Sequence, residues 1–503
     1  MFHISEFCLI LYYPQYHDIR IHPAKTMFVF FIAAHEIRGC SFIPYCCNRT
    51  KKVKFIKTTN WRVSFMKNGV WVSLVIFIGA TAFLMPNFYR NKWGTVEPVY
   101  YENWQTIFDR SVIARLVKTR QDGFLSAGGL LGLGDVEAWD FLSKTHQHQY
   151  DVYNNGGKFQ TYFAYTSTPG FQGVVFGILD RLLPLQENIK IKLFRAGMAL
   201  VSAMTFALIS IWLGNEFGWL AGIPTLVFVG FSEALIRSAG SIYWNLWVFY
   251  LPFMVNTILL NDNSRKQAYP TARLLWLNYF LCLLKILMNG FEGITTFMVM
   301  TTVPFIYYAY LEKWDWKTLL GRIIGLGGIL IAATVTGLTI LSIQIALSEG
   351  NLSASFRYIW DAFNRRAIGN PNEYGGLLAD SMRASIFQVI SKYLGLEAFT
   401  FHVHDMIYKV TFLQVILFYA FFSTIFIIRY RAQSSSRLHR KGWSLVIATW
   451  YSILAPLSWF IVFKPDAYLH TSIYLMLWHM PFTLLGISVC GFVISDLFTR
   501  KTV

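Results

Sequence analysis

The residues with the most chemical potential in a short space run from position 109 to 124, with the sequence DRSVIARLVKTRQDGF. Apolar side chains recur there at helical spacing beside Arg115 and Lys118. This pattern predicts a helix on a membrane surface, with Asp109 near its N-terminal end, where the helix dipole stabilises a carboxylate. A carboxylate so placed can take a proton from an attacking hydroxyl, and the basic side chains can bind a lipid phosphate.

A second group of ionisable residues lies at the ends of hydrophobic segments, where charged side chains are costly and usually functional. In the predicted orientation they share one side of the membrane with Asp109, and they are Glu233, Arg237, Lys285, Glu292, Lys464, Asp466 and His470. Arg115, Arg237, Lys285 and Lys464 are candidate phosphate contacts. Glu233 and Glu292 are candidate contacts or positioners of an acceptor.

Structural roles stay open for these candidates. Glu233 and Arg237 are one helical turn apart and can simply pair with each other. Lys285 can extend its ammonium group to the membrane interface. Asp109 can serve as a helix cap with no catalytic role.

Two histidine clusters, His146-Gln-His148 and His402-Val-His404-Asp405, raise the question of a metal. An H-x-H pair suits a strand better than a helix, because alternate residues of a strand share one face. Neither cluster comes with a defined set of further ligands. A solvated loop is the alternative for both.

The elements that must position these residues are membrane helices. Of 503 residues, 55% are hydrophobic and only 14% are charged, whereas soluble domains carry roughly a quarter charged residues. The net charge of +17 comes from basic residues that cluster between apolar blocks, a pattern that orients membrane proteins. Because membrane orientation explains the basic residues, the net charge does not indicate a nucleic-acid partner.

Apolar segments near 20 residues are long enough to cross the bilayer. They predict an all-α, polytopic membrane protein with about ten transmembrane helices. The candidates are 70–85, 196–213, 219–236, 241–260, 274–288, 293–310, 323–347, 410–428, 445–463 and 473–494.

Basic residues fall on one side at nearly every turn, as at Arg265, Lys317, Arg440 and Arg500, which predicts that both termini are cytoplasmic. Two outer loops, about 86–195 and 348–409, are then far longer than the rest and predicted to carry amphipathic helices, one of them near 171–183. Residues 66–503 form a single predicted membrane domain. Residues 1–65 are either a cytoplasmic segment or lie before a true start at Met66.

The sequence resembles the membrane-embedded C-type (GT-C) glycosyltransferases. Their first outer loop carries an acidic residue soon after the first span, often followed by a second acid, then an Ala-Arg pair and a Gly that ends the helix. Asp109, Ala114-Arg115 and Gly123 stand at those places. The long loops after the first and seventh spans also match, but Arg110 replaces the second acid, which weakens a metal-ligand role there.

The resemblance implies transfer of a sugar from a polyprenyl-phosphate donor to a glycan, lipid or protein acceptor on the non-cytoplasmic side. Asp109 would be the general base of an inverting displacement in which the lipid phosphate leaves. No cofactor is assigned from the residues, although some members of the superfamily use a divalent metal.

Two other classes stay open. Pro224, Pro252, Pro304 and Pro456 interrupt predicted spans, as in transporters and lipid flippases, but no internal repeat accompanies them. A non-catalytic membrane subunit would explain Arg110 in place of the second acid.

Overall fold

Long apolar segments form the framework, because a helix satisfies its own backbone hydrogen bonds where no water is present. A computed structural model describes residues 59–136, 143–266, 271–403, 406–431 and 436–499. Among them, seven helices are long and apolar enough to cross a membrane, or nine if each of two bent helix pairs is one span. The chain is therefore a helical multi-pass membrane protein. The predicted span 241–260 corresponds to a shorter apolar helix, Leu246–Asn261.

The described helices, in chain order, are α1 (Thr59–Arg90), α2 (Pro98–Asp122), α3 (Ser143–Asn154), α4 (Phe171–Leu182), α5 (Glu187–Phe217), α6 (Trp219–Val229), α7 (Glu233–Ala239), α8 (Leu246–Lys266), α9 (Thr271–Asn289), α10 (Ile294–Leu311), α11 (Trp316–Glu349), α12 (Leu352–Arg366), α13 (Gly376–Arg383), α14 (Ile386–Leu394), α15 (Phe412–Tyr430), α16 (Arg437–Ser452), α17 (Leu454–Val462), α18 (Lys464–Leu469), α19 (Thr471–Tyr474) and α20 (Phe482–Thr499). Two antiparallel strand pairs accompany them, β1 (Gly132–Gly134) with β2 (Tyr162–Ala164) and β3 (Glu397–Val403) with β4 (Met406–Thr411). Residues from Phe77 onward belong to one compact unit.

The first long connection lies between α1 and α5 and contains α2, α3, α4 and the first strand pair. Helix α4 confirms the amphipathic helix predicted near 171–183. Helix α2 begins at Pro98, where the Glu97 carboxylate accepts hydrogen bonds from the amides of Val99 at 3.1 Å and Tyr100 at 2.6 Å. Asp109 therefore lies in the middle of α2, and the expectation that it stands near the N-terminal end is wrong.

Helix α2 ends as predicted at Gly123, whose φ of 89° is in the region that favours glycine. The strand expectation for the first histidine cluster is wrong, since His146 and His148 both lie on α3. In the second cluster His402 lies on β3, whereas His404 and Asp405 lie outside the described residues.

The second long connection lies between α11 and α15 and contains α12, α13, α14 and the β3–β4 hairpin. Helix α14 begins at a capping box in which Ser385 and Gln388 satisfy each other's backbone amides. The helices agree with the prediction of amphipathic helices in this loop. The hairpin was not predicted.

Charged side chains join several short connections at one end of the bundle. Lys441 pairs with Glu216 at 2.9 Å, and Arg437 pairs with Glu312 at 3.2 Å. These residues follow different spans, so the connections that carry them come together in space. The side of the membrane that this end faces stays a prediction.

Apolar side chains lie both in the core and on the outward faces of the spans, as expected for a membrane protein. Trp244, Trp459 and Trp478 are among the largest fully buried side chains. On the span α11, by contrast, Ile331, Ile343 and Leu347 are exposed by 60%, 51% and 66%. Exposed apolar side chains on a span fit a surface that faces lipid.

Candidate active site

A cavity of about 240 Å³ lies where the two long connections meet. Its walls come from α2, α12, α13, α18 and α19, from the turn between α9 and α10, from β2 and the segment after it, and from the segment after α7. The polar and aromatic lining residues are Phe108, Arg110, Ser111, Phe163, Tyr165, Thr166, Ser167, Tyr243, Trp244, Glu292, Tyr358, Arg365, Arg366, Asp466, His470 and Tyr474. Of the residues predicted from sequence, Glu292, Asp466 and His470 line this cavity.

Glu292 is half-buried in the turn between α9 and α10. Burial raises its pKa to about 7, an effect that Arg366 opposes and Asp466 strengthens. A carboxyl group with this pKa can both accept and release a proton near neutral pH, which is the property of an effective general base.

Lys285 holds the turn that carries Glu292. Its ammonium group is completely buried and donates to the carbonyl of Gly290 at 2.9 Å and to that of Glu292 at 2.5 Å. The alternative that Lys285 extends to the interface is therefore wrong. The contacts make it a positioning residue for Glu292 rather than a group that lines the cavity.

Asp466 is 5% exposed and connects several groups in the cavity wall. Its Oδ1 lies 3.8 Å from Arg366 Nε and 3.7 Å from His470 Nε2, and the Tyr474 hydroxyl donates to Oδ2. Burial lowers the pKa of His470; Asp466 opposes this and Arg366 reinforces it. The net effect favours the neutral form of His470.

Arg110, Arg365 and Arg366 line the same cavity, and the guanidinium group of Arg110 also bonds to His146 Nδ1. Burial alone would lower the pKa of Arg366, but the neighbouring Asp466 and Glu292 outweigh it and raise the pKa, so the group stays charged. Three arginines against two acidic residues in the lining favour an anionic ligand. Arginine forks match the oxygen geometry of phosphate well.

Aromatic rings form another wall of the cavity. The Phe108 ring centroid lies 5.5 Å from that of Trp244 and 5.9 Å from that of Tyr243. Such rings present apolar faces with polar edges. They can pack against the carbon face of a sugar ring while hydroxyl groups turn to the polar side chains.

Asp109 lies completely buried behind this wall, outside the set of lining residues. Its Oδ2 accepts from Arg195 Nε at 2.7 Å. Its Oδ1 accepts from the Ser241 hydroxyl at 2.8 Å and from the amides of Ile242 at 3.0 Å and Tyr243 at 3.3 Å. Burial raises the pKa of Asp109 and these donors oppose it. The carboxyl group thus anchors the segment that carries Tyr243 into the cavity wall.

Arg115, Glu233 and Arg237 also lie outside the lining of the cavity. Arg115 is completely buried and donates to the carbonyl of Ser126 at 2.6 Å, which fixes the chain just after α2. Arg237 lies 3.6 Å from Glu233 and donates to the carbonyl of Ser472 at 3.0 Å. The alternative that Glu233 and Arg237 pair with each other is confirmed.

Lys464 precedes Asp466 by two residues but binds elsewhere. Its ammonium group donates to the carbonyl of Met382 at 2.8 Å, and burial lowers its pKa. It therefore connects α18 to the end of α13 instead of reaching the cavity.

Sequence reasoning missed Arg365 and Arg366 as site residues. Both lie far from any predicted span end, at the C-terminal end of α12. The available signal was a basic pair that ends an amphipathic helix, where cations also complement the helix dipole. Arg110 was noticed only as a departure from the resembled motif.

No group of three His, Cys, Asp or Glu side chains among the described residues is arranged to hold a metal ion. A metal therefore stays a prediction from resemblance. Comparison of the chain with protein-family models, with curated proteins and with solved structures finds no match.

Proposed function

We propose that this protein is a membrane glycosyltransferase that moves a sugar from a polyprenyl-phosphate donor to an acceptor hydroxyl within the cavity. One observation carries the proposal. A single cavity is lined by three arginines and by Glu292, whose carboxyl pKa burial raises to about 7. Phosphate recognition and proton transfer are the two tasks that such a reaction requires.

In the proposed step, Glu292 accepts the proton of the acceptor hydroxyl. The acceptor oxygen forms a bond to the anomeric carbon as the bond from that carbon to the phosphate oxygen breaks. The bonding electrons leave with the phosphate, so the configuration inverts. Arg365, Arg366 and Arg110 stabilise the negative charge that develops on the leaving phosphate, an effect strongest where water is excluded.

The proposal assigns the base to Glu292 rather than Asp109. A general base must lie within hydrogen-bonding reach of the proton that it takes. Both oxygens of Asp109 are already occupied by four donors, and the residue does not line the cavity. Glu292 lines the cavity directly.

The position of the cavity also favours transfer over transport. Transporters place substrate sites near the middle of the bilayer between broken helices. Here the lining residues come mainly from the long connections and from turns at span ends. A transporter or a non-catalytic subunit remains the alternative that the experiment below separates.

The test measures transfer of radiolabelled sugar from polyprenyl-phosphate donors by the full chain in membranes. Glu292→Gln is expected to lower the rate per folded protein by about 100-fold or more, the usual contribution of a general base. Glu102→Gln, on the exposed side of α2, is the matched control and is expected to leave the rate unchanged.

Asp109→Asn distinguishes the two assignments of the base. We expect it to reduce the amount of folded protein while the remaining folded protein transfers sugar. Loss of transfer in Asp109→Asn at normal protein levels, with Glu292→Gln active, would return the base to Asp109. A wild-type chain that transfers sugar from none of the donors would contradict the proposed function itself.

A further inference from the structure

Helix α12 presents three chemically different faces around its axis. At about 3.6 residues per turn, its exposed apolar side chains fall on one strip, namely Leu352, Phe356, Trp360 and Phe363. The adjacent strip is polar and exposed, with Ser353, Arg357 and Asp361. The remaining face lines the cavity through Tyr358, Ala362, Arg365 and Arg366.

The apolar strip is too exposed to be part of the core. Phe356 is 61% exposed and Trp360 is 59% exposed. Large aromatic side chains in water are unfavourable, so an exposed contiguous strip of them marks a surface that something covers.

We propose that the apolar strip of α12 rests in the membrane, so that α12 lies along the membrane–water boundary beside the cavity. The exposed side of span α11, where Ile343 is 51% exposed and Leu347 is 66% exposed, leads into α12. Only two residues separate the end of α11 from the start of α12. The same lipid that surrounds α11 therefore extends to the strip.

The neighbouring polar strip supports this placement. A helix in the boundary buries one side in lipid and keeps the next side in water. Arg357 on the polar strip is positioned for lipid phosphates, which attract basic side chains near the membrane surface. Tryptophan and other aromatic residues are also the types enriched at this boundary.

A protein partner fits the strip less well. Four partly exposed side chains offer a few hundred Å² in total, whereas a stable protein interface buries about 1,200–2,000 Å². Contact with the membrane requires no minimum area of the strip by itself, because the spans, including α11, already hold the protein in lipid.

The placement has a consequence for the cavity. The arginines at the end of α12 lie across one helix from the lipid, a distance of about 10 Å. They are then held at the depth of lipid headgroups. An anionic headgroup could enter the cavity without leaving the membrane surface. The placement of α12 itself does not depend on the proposed transfer reaction.

The test places a nitroxide on Trp360→Cys and, separately, on Asp361→Cys in the full chain, reconstituted in phosphatidylcholine nanodiscs. Spin relaxation by oxygen, which concentrates in lipid, is compared with relaxation by a water-soluble nickel chelate. Leu347→Cys provides the lipid reference, and labelled parent protein gives the background from native cysteines. Phe356→Cys repeats the measurement should Trp360→Cys fold poorly.

We expect the ratio of oxygen to nickel accessibility at position 360 to exceed that at position 361 by several-fold and to approach that at position 347. Equal ratios at 360 and 361 would place the strip in water and overturn the proposal. Exclusion of both reagents at 360 and 356 would show a protein partner on the strip and overturn it as well. Because the measurement needs no turnover, its result is independent of the proposed function.

Discussion

Two carboxyl groups, Asp109 and Glu292, show how surroundings assign different roles to the same chemical group. Asp109 accepts hydrogen bonds from four donors, which hold it in place, and it does not line the cavity. Glu292 lines a cavity, and its backbone is held by Lys285. Saturated hydrogen bonding suits an anchor, whereas an accessible group with a raised pKa suits proton transfer.

At the residue scale, the raised pKa of Glu292 predicts the pH dependence of transfer. The base must be ionised, and burial raises its pKa to about 7. Activity is therefore low below that pH, where the proton stays bound, and rises as the pH passes through about 7. Initial transfer rates across the range from about pH 5 to about pH 9 test this expectation. A rise centred near the ordinary glutamate pKa, or a flat profile, would contradict it.

At the scale of elements, the carboxyl group of Asp180 joins four helices. Three of them, α2, α3 and α4, belong to the first long connection, and the fourth, α5, is the span that follows it. Asp180 on α4 binds Arg120 of α2 through two bonds of 2.6 Å. It also accepts from the Tyr153 hydroxyl of α3 at 2.6 Å and lies 3.3 Å from Lys190 of α5. Helix packing in this region therefore depends on a buried charge network, in which removal of one member leaves the others unpaired.

We predict that Asp180→Asn destabilises the protein by about 3–5 kcal/mol, the usual cost of breaking a buried ion pair. Thermal unfolding of the purified protein at pH 7 measures the loss. Asp122→Asn is the control, since Asp122 forms only a surface pair with Lys118 and is 39% exposed. That change is expected to cost at most about 1 kcal/mol. Equal effects of the two substitutions would show that the network does not stabilise the packing.

The pKa of Asp180 gives this contribution a direction with pH. Burial raises the pKa, but Arg120 and Tyr153 outweigh it, and the net pKa is lowered. A carboxyl group with a lowered pKa stabilises the fold above its unfolded value and loses that contribution as the pH falls through the folded value. The difference between wild type and Asp180→Asn should therefore persist at neutral pH and shrink only in acid below about pH 4.

At the scale of the whole molecule, the positions of the basic connections and of the cavity together predict which side of the membrane the cavity faces. Lys441–Glu216 and Arg437–Glu312 join short connections at one end. The cavity lies among the two long connections. The positive-inside tendency then predicts a non-cytoplasmic cavity.

We predict that a membrane-impermeant maleimide labels Ser353→Cys from the non-cytoplasmic side of sealed membranes. Arg437→Cys, which replaces a side chain exposed by 63%, should react only after the membranes are opened. The buried native cysteines Cys282 and Cys490 make little background, and labelled parent protein corrects for the others. The reverse labelling pattern would place the cavity on the cytoplasmic side.

Much of the framework followed from sequence, because membrane spans are local in the chain. A run of apolar residues needs lipid or protein around it wherever it occurs, so most spans and both long connections were predictable. Glu292, Asp466 and His470 were predictable for a related reason. Each is an ionisable residue beside the end of a hydrophobic segment. Placing a charged side chain there costs free energy, so such residues usually have a function.

Tertiary structure alone decided which of those residues share a site. Arg366 meets Asp466, and Arg365 lines the same cavity, only because the second long connection packs against the segment after α17. The lone pairs of Asp109 are occupied by residues more than 80 positions away in sequence. Local patterns carry no record of such distant partners. The sequence thus determined a multi-pass membrane protein with charged residues at its span ends, and the packing of distant segments decided which of them line a cavity and which hold the fold.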